Sequence, residues 1–360
     1  MAKGKLALGL DIGSTGVKLI LLKEQRRRGV TGYALQSFGM KPLPPEAIVD
    51  GALMNSTAIV QAIQELMGEL KVKQKEVAIG VSGHSVIIKK ISMPRMTQEE
   101  LEEAIQWEAE QHIPFDIKDV NIDTQILKPD ANDATGQMDV LLVAAKKDMI
   151  NDYTTVVAEA GLQPAVVDVD AFAVQNCFTA NYELPEKETV VLINAGAAVV
   201  NINIISGGVT TFTRDVTIGG NQFTEEIQKQ LNVSYDEAEA LKIGGGRGDA
   251  DAVVPQEVER VMGSVAEQVA GEIQRSLDFY AGTAADATFS RVYLSGGTAK
   301  IPALFKTIES RVGVPVEIMN PFKAIEIDNR RFDPAFIMDV APLAAVAVGL
   351  GLRKAGDKLD

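Results

Sequence analysis

Two segments of the sequence, beginning at Leu6 and Thr189, share one layout. The first reads LALGLDIGSTGVKLILLKEQRRRGVTGYALQSF, and the second reads TVVLINAGAAVVNINIISGGVTTFTRDV. Each gives a strand, an Asp-x-Gly or Asn-x-Gly turn, a second strand, a tight polar turn and a third strand, with Asp11 and Asn194 at matching places. Helical sequence follows each segment, so the repeat predicts two similar α/β lobes whose glycine turns face each other across a cleft.

Composition narrows the range of functions. The chain has 360 residues, about twice the length of a typical domain, which agrees with two lobes. Its net charge of −14 would repel a phosphate backbone and argues against nucleic acid as a partner. The single cysteine, Cys177, excludes a disulfide framework and a thiolate metal cluster. We see no signal peptide, and the apolar stretch from Val340 to Leu352 is too short to span a bilayer, so we expect a cytoplasmic protein without direct membrane insertion.

The sequence between the repeats predicts an inserted helix and hairpin. Thr97 and Glu100 form a capping-box pattern at the start of the helix, which Pro114 stops. Its apolar stripe consists of Leu101, Ala104, Ile105 and Ala109. Trp107 lies to one side of this stripe, so the helix is either a core helix or one that shares its surface with a partner. The segments VNIDTQIL and DVLLVAAKKDMI, on either side of the loop LKPDANDATGQMDV, predict the hairpin.

These patterns predict a division of the chain. Residues 1–85 form the first lobe, 86–165 the inserted subdomain, 166–186 the return to the first lobe with a connecting helix, and 187–360 the second lobe, in which 221–290 form a smaller helical subdomain. That subdomain contains the flexible link GGGRGDADAV and then one long helical face. The face consists of Val258, Val261, Val265, Val269, Ile273, Leu277 and Tyr280.

The first glycine turn carries residues suited to phosphate and a metal ion. Its small residues are Gly13, Ser14, Thr15 and Gly16, which let backbone N–H groups approach an anion closely. Asp11 at the strand end can hold Mg²⁺ directly or through water. Lys18 interrupts an apolar strand, which is unfavourable unless its ammonium group has a partner. A single such turn could equally be an ordinary hairpin.

Two more glycine turns strengthen the case for a ligand site. The second contains Asn194 and Gly196, and the third, in YLSGGTAKIP, contains Gly296, Gly297 and Thr298. Together the three turns would supply two hairpins that face phosphate and one turn on which a flat adenosine ring could lie.

The ordered set of turns resembles the superfamily of actin, heat-shock chaperones, sugar kinases and the FtsA ATPases. The turn at Asp11 matches its first phosphate motif, with Lys18 at the spacing found in actin, the turn at Asn194 falls on the second, and the turn at Gly296 falls on the adenosine motif. DVDAFAVQN and APLAAVAVGLGL resemble its two connecting helices. The resemblance implies a duplicated actin-like ATPase fold, with two lobes around a cleft that binds ATP or ADP with Mg²⁺.

Within the superfamily, the chain resembles the PilM family of FtsA-like type IV pilus assembly proteins. The resemblance lies in SMPRMTQEELEEAIQWEAEQHIPFDIKDVNIDTQIL, DVLLVAAKKDMI and AGLQPAVVDVDAFA. It implies an FtsA-type insert in the first lobe and binding of the N-terminal cytoplasmic peptide of PilN in a groove near that insert. Attachment to the inner membrane would then come through this partner, and other pilus components such as the motor ATPases are further possible contacts.

The resemblance also assigns residues of the helical subdomain. Glu239 and Lys242 match a Glu-x-x-Lys helix that contacts ribose and adenine, although spacing alone is equally compatible with an exposed pair on a polar helix. Gly219 and Gly220 precede a helix start and could present N–H groups to the nucleotide.

The second phosphate motif departs from the superfamily pattern. Asn194 replaces the usual Asp, and Ala197 and Ala198 replace hydroxyl residues. Asn is neutral and cannot act as a base. Asp170 is the candidate for positioning the hydrolytic water, but it is one methylene shorter than Glu. We therefore expect nucleotide binding with slow or absent hydrolysis.

Two other functions remain open at this point. One is a small-molecule kinase of the same superfamily, of the sugar or acetate kinase type. The other is a filament-forming cell-division protein like FtsA, although the C-terminal sequence RKAGDKLD has no apolar face that could enter a membrane.

Overall fold

The computed structural model describes residues 5–27, 29–127, 136–184, 188–244, 256–284 and 288–357. Its strands are β1 (Leu8–Gly13), β2 (Gly16–Arg27), β3 (Val30–Pro42), β4 (Ile48–Val49), β5 (Ala52–Leu53), β6 (Glu76–Val81), β7 (Val86–Pro94), β8 (Val120–Ile126), β9 (Gln137–Lys146), β10 (Gln163–Val169), β11 (Thr189–Ala195), β12 (Val200–Ser206), β13 (Val209–Val216), β14 (Arg291–Ser295), β15 (Val316–Ile318) and β16 (Ile325–Glu326). Its α-helices are α1 (Ser56–Leu70), α2 (Gln98–Ala109), α3 (Lys147–Glu159), α4 (Asp170–Asn181), α5 (Gly220–Leu231), α6 (Tyr235–Lys242), α7 (Gln256–Thr283), α8 (Pro302–Val312), α9 (Pro334–Val340) and α10 (Ala345–Gly351). Short 3₁₀ helices cover Ile117–Asp119, Gly297–Lys300 and Ala341–Ala344.

The two repeats form the centres of two separate sheets. The first sheet has the order β10-β6-β1-β2-β3-β16, and the second has the order β13-β12-β11-β14-β15. In each sheet the repeat supplies an antiparallel three-stranded meander whose first strand also pairs in parallel with a later strand, β6 or β14. The predicted repeat is therefore confirmed. The turns also match in register, because Asp11 lies opposite Lys18 and Asn194 lies opposite Asn201.

Residues of β11 alternate between two hydrophobic clusters, one on each face of the second sheet. Val190 and Leu192 pack into the cluster that contains α4 and α10, whereas Val191 and Ile193 pack against α7. This alternation follows from the two-residue period of a strand, and it explains why the strand is apolar throughout. The predicted apolar face of the long helix is confirmed, since its seven members are all buried in the second cluster.

Helices α4 and α10 pack closely against each other between the two sheets. A Cβ atom at Gly349 of α10 would lie 1.7 Å from the carbonyl oxygen of Ala173 in α4, so only glycine permits this approach. The chain then returns to the first sheet, where Lys354 forms a bridge with Leu6 and β16 pairs with β3. The predicted second lobe, 187–360, therefore needs correction, because its C-terminal part packs on the first sheet.

The insert forms its own three-stranded sheet, in the order β7-β9-β8, covered by α2. The predicted hairpin is confirmed as β8 and β9, and Thr97 caps α2 with the predicted capping box. The helix ends at Ala109, before Pro114. The insert sheet ends at Lys146, whereas the prediction extended the insert to 165. This boundary is corrected because α3 packs on the first lobe and β10 pairs with β6 in the first sheet.

Among the described residues, one helical run, Pro334–Gly351, has the length and apolar composition of a membrane span. Within that window 67% of the residues are buried inside the protein, as in the core helix of a soluble domain. The predicted link GGGRGDADAV lies outside the described residues except for its first glycine, as does most of the predicted loop LKPDANDATGQMDV.

Candidate functional site

A single cleft of about 1280 Å³ brings the predicted ligand residues together. The predicted residues that line it are Asp11, Gly13, Ser14, Thr15, Lys18, Asp170, Asn194, Gly196, Gly220, Glu239, Lys242, Gly296, Gly297 and Thr298. The other two predicted glycines, Gly16 and Gly219, do not line the cleft, but each allows another backbone segment to approach a turn closely. A Cβ at Gly16 would lie 2.8 Å from the carbonyl oxygen of Lys41, so this glycine allows β2 to approach the end of β3.

The first hairpin presents an ion pair to the cleft. Lys18 Nζ donates to Asp11 Oδ2 over 2.8 Å, across the register pair that joins β1 to β2. Asp11 is only 9% exposed, and its charge would be costly to bury without Lys18. A Cβ at Gly13 would lie 3.4 Å from Lys18 Nζ, so the glycine keeps the space beside the ammonium group open.

The second hairpin carries neutral amides at the equivalent positions. Asn194 Nδ2 donates to Asn201 Oδ1 over 3.0 Å, and Asn201 Nδ2 donates to Asp215 Oδ1 over 2.8 Å. Ser295 Oγ donates to Asn194 Oδ1 over 3.3 Å. The predicted lack of charge at Asn194 thus extends to its cross-strand partner, while the next carboxylate, Asp215, stands one strand further away.

The glycine turns of the second lobe pack backbone against backbone. Gly220 donates its N–H to the carbonyl oxygen of Gly196 over 3.0 Å, and Thr298 Oγ1 donates to the same oxygen over 2.7 Å. A Cβ at Gly219 would lie 2.5 Å from that oxygen. The prediction that Gly219 and Gly220 offer N–H groups to a nucleotide is therefore wrong for Gly220, whose N–H already has a partner.

Gly296 begins the third turn in a left-handed conformation. Its φ is 88°, and a Cβ there would lie 2.2 Å from the carbonyl oxygen of Ala195. Glycine is required on both grounds. The turn is thereby held against β11, and Gly297 and Thr298 follow it along the cleft wall.

Glu239 and Lys242 form a connected group with Thr224 of α5. Lys242 pairs with Glu239, and Thr224 Oγ1 donates to the same carboxylate. Lys242 Nζ also donates to Thr224 Oγ1 over 2.9 Å and to the carbonyl oxygen of Gly220 over 3.3 Å. The side chain of Lys242 is only 12% exposed, which excludes the alternative of an exposed pair on a polar helix.

Asp170, the first residue of α4, packs directly over Gly80 of β6. A Cβ at Gly80 would lie 2.2 Å from Asp170 Oδ1. Burial and, to a smaller extent, the charge of the neighbouring Asp11 raise the pKa of Asp170 from 3.8 to about 7, against the opposing effect of a hydrogen bond with Ser82. Asp170 is therefore partly protonated near neutral pH.

Comparison with known proteins identifies the family. The family model for the type IV pilus assembly protein PilM matches residues 9–355. This chain belongs to the PilM family. The solved structure of a PilM-PilN type IV pilus biogenesis complex matches with a TM-score of 0.85 and 30% sequence identity, covering 96% of this chain and 98% of that chain.

More distant relatives of this PilM-family chain share its fold. The cell division protein FtsA of Neisseria meningitidis is 23% identical over 403 residues, covering 98% of this chain and 90% of the relative. The ethanolamine utilization protein EutJ of Carboxydothermus hydrogenoformans matches with a TM-score of 0.55 and 16% identity, over 96% of this chain and 89% of that chain. The fold is the duplicated actin-like ATPase fold.

Several cleft residues of this PilM-family chain were missed by the sequence analysis. Ser82 follows β6 and reaches Asp170, and Lys300 and Lys306 line the cleft beyond the third glycine turn. The glycine turn after β6 was visible in EVAIGVSG, and it was the available signal for Ser82. No motif in the sequence marks Lys300 and Lys306, because lysines after a turn are also common on surface helices.

The cleft is large enough to hold a nucleotide. Its volume exceeds the range of about 300–1,000 Å³ that is typical of small-molecule sites. Within the described residues, no group of three His, Cys, Asp or Glu side chains could hold a metal ion by itself. A cation at Asp11 would therefore depend on ligand phosphates and water, as Mg²⁺ does in phosphate-binding sites.

Proposed function

We propose that this chain is a cytoplasmic ATP-binding adaptor of the type IV pilus machine, in which the bound state matters more than turnover. The main support for this proposal is that four groups of residues line one cleft. They are the two repeat hairpins, the third glycine turn and the Glu239–Lys242 pair. Membership of the PilM family supports the pilus role.

The polar groups of the cleft have complementary tasks towards ATP. Lys18 and the N–H groups of the turn between Gly13 and Gly16 would hold phosphate, and Asp11 would hold Mg²⁺ through water. Glu239 and Lys242 would contact ribose and adenine, with Gly296, Gly297 and Thr298 on the adenosine side. Mg²⁺ would supply positive charge against the phosphates.

Slow or absent hydrolysis follows from two features of the cleft. Asn194 and Asn201 contribute no charge to a cation site. Asp170 is one methylene shorter than Glu, so it would hold an attacking water in a less favourable position.

The PilN peptide is the proposed partner, as the PilM-PilN complex suggests for a chain of this family. A groove of about 530 Å³ lies between α2 and β8 of the insert, with Ile105 and Ile122 among its apolar residues. In the sheet order β7-β9-β8, β8 is an edge strand, and an extended peptide could add to such an edge. Two acidic residues, Glu102 and Asp123, and two lysines, Lys118 and Lys147, line the same groove and would pair with a segment that carries both charges. Binding there would hold the protein at the inner membrane.

A short loop connects the nucleotide cleft with β7, the edge of the insert sheet opposite β8. Ser82, at the cleft, is followed after three residues by β7, the first strand of the insert sheet. ATP would select a closed arrangement of the lobes and with it one shape of the groove. Contacts with other pilus components, such as motor ATPases, would be governed by the same change.

Titration calorimetry with ATP, in Mg²⁺ and in EDTA, tests the nucleotide part of the proposal. Asp11→Asn keeps the shape of the side chain but removes the charge, so the tighter binding in Mg²⁺ should be lost. Asp11→Ala should also abolish the thermal stabilisation by Mg·ATP, which for the native chain amounts to about 2.7 kcal/mol at 100 times Kd. Wild-type protein that binds no ATP in either condition would refute the proposal.

A labelled peptide with the N-terminal cytoplasmic sequence of PilN tests the groove. Glu102→Arg reverses a charge inside it, and Glu103→Arg makes the same change on the adjacent, exposed position of α2 outside it. Fluorescence anisotropy should show weaker binding only for Glu102→Arg, by about fivefold, since rim charges contribute modestly. Equal effects of the two variants would place the peptide elsewhere.

A further inference from the structure

Asp215 determines how the side-chain amides of Asn201 and Asn194 are oriented in the second hairpin. Its ionised carboxylate can only accept hydrogen bonds, so Asn201 must direct its amino group towards Asp215 and its carbonyl oxygen towards Asn194. Asn194 then donates its own amino group to Asn201. The oxygen Oδ1 of Asn194, which accepts a 3.3 Å bond from Ser295, is the atom that remains for a cation or water.

The second oxygen of Asp215 binds the first lobe. Its Oδ2 accepts the N–H of Gly83 over 2.6 Å, and Gly83 belongs to the loop between β6 and β7. The next residue, His84, lies 2.9 Å from Thr217 Oγ1 of the second lobe, measured from its Nε2. The preceding residue, Ser82, binds Asp170. Three consecutive loop residues therefore connect Asp170 with the last strand of the other repeat.

Asp215 lies behind the cleft wall. Its neighbours Asn201, Gly83 and Thr217 line the cleft, whereas Asp215 itself does not. Burial raises the pKa of its carboxyl group, and the hydrogen bonds from Asn201 and Gly83 oppose that change. From this position Asp215 can influence a bound ligand only through Asn201 and Gly83.

We propose that Asp215 is a positioning residue that joins the two halves of the cleft. Through Asn201 it keeps the oxygen of Asn194 available to the cation of a bound nucleotide, and through Gly83 it holds the loop at the base of the insert. The first role rests on the proposed function. The second role is a contact within the chain and does not depend on a ligand.

Asp215→Ala tests both roles at once. It removes both acceptor oxygens, so the side-chain amide of Asn201 loses its orientation and the N–H of Gly83 loses its partner. The ratio of the ATP Kd in EDTA to that in Mg²⁺ should fall about tenfold, and amide hydrogen exchange of the peptide spanning Gly83 should become about tenfold faster, as expected for loss of one charge-assisted hydrogen bond. Asp278→Ala, the same change at an exposed position of α7 outside the cleft, should leave the Kd ratio and the exchange at Gly83 unchanged.

The outcomes separate this inference from the proposed function. If Asp215→Ala weakened ATP binding equally with and without Mg²⁺, or left exchange at Gly83 unchanged, Asp215 would not have the assigned role. If wild-type protein bound no ATP, the proposed function would fail, and exchange at Gly83 would still decide the contact between the lobes. If Asp215→Ala did not fold, Asn201→Ala should lower the Kd ratio while leaving exchange at Gly83 slow, and an unchanged ratio there would overturn the inference.

Discussion

The replacement of Asp170 by Asn tests the electrostatics of the cleft through protein stability. In the folded protein the pKa of this carboxyl group is about 7, compared with 3.8 for the free side chain. The folded state therefore binds more protons than the unfolded state between these values, and stability falls as the pH rises from about 4 to about 7. Above pH 7 the full cost of the buried charge is present, and Asn removes it.

The magnitude follows from the two pKa values. Their difference corresponds to about 4 kcal/mol, because one pKa unit is equivalent to 1.36 kcal/mol. We expect a gain of about 2–4 kcal/mol at pH 8, allowing for relaxation around the charge. For 360 residues that unfold together, this gain would raise Tm by about 3–5 °C. At pH 5 the gain should be less than half as large, since the wild-type group is then protonated in the folded state.

Calorimetric melting of both proteins at pH 5 and pH 8 gives the comparison. Asp152→Asn makes the same chemical change on the exposed side of α3 and should alter Tm little at either pH. A loss of stability for Asp170→Asn at pH 8, or a gain equal at both pH values, would refute the argument that burial has raised this pKa.

Three further substitutions test the packing and the second hairpin. Gly349→Ala should destabilise the protein by about 3 kcal/mol or more in denaturant unfolding, because its Cβ would overlap Ala173. Gly263→Ala, at an open position of α7, should instead stabilise the protein by up to about 1 kcal/mol. Similar effects of the two variants would contradict the close approach of α4 and α10. Arg353→Met should lower the free energy of unfolding by about 3 kcal/mol, because the buried Asp168 loses its partner at 2.9 Å. Adding Asp168→Asn should restore most of this stability. If the double variant stays as unstable as Arg353→Met, the ion pair is not what holds the C-terminal segment. Asn194→Asp should raise the rate of ATP hydrolysis measured by phosphate release, and an unchanged rate would mean that the missing charge is not what limits turnover.

Much of the cleft could be predicted from the sequence because its parts are local. Each turn is a short run of glycine and polar residues between strands, and the repeat alone placed Asp11 and Asn194 in equivalent positions. The capping box of α2 is likewise contained within four residues. Local patterns of this kind do not depend on tertiary contacts, so they can be recognised in the sequence.

The remaining features depend on contacts between distant residues. The bond from Gly83 to Asp215 joins positions 132 residues apart, and nothing near either residue indicates the other. The pKa of Asp170 depends on the packing of its carboxylate over Gly80 and on the proximity of Asp11. The insert boundary at Lys146 depends on the parallel pairing of β10 with β6, whose sequences are compatible with other neighbours.

The central claim, that this chain is a nucleotide-responsive adaptor, is tested most directly by one titration. The affinity of the PilN N-terminal peptide is measured on the same sample without nucleotide and with saturating Mg·ATP. The account predicts that the peptide binds and that ATP changes its Kd by about fivefold or more, a coupling of about 1 kcal/mol. A peptide affinity that is the same with and without bound ATP would contradict it.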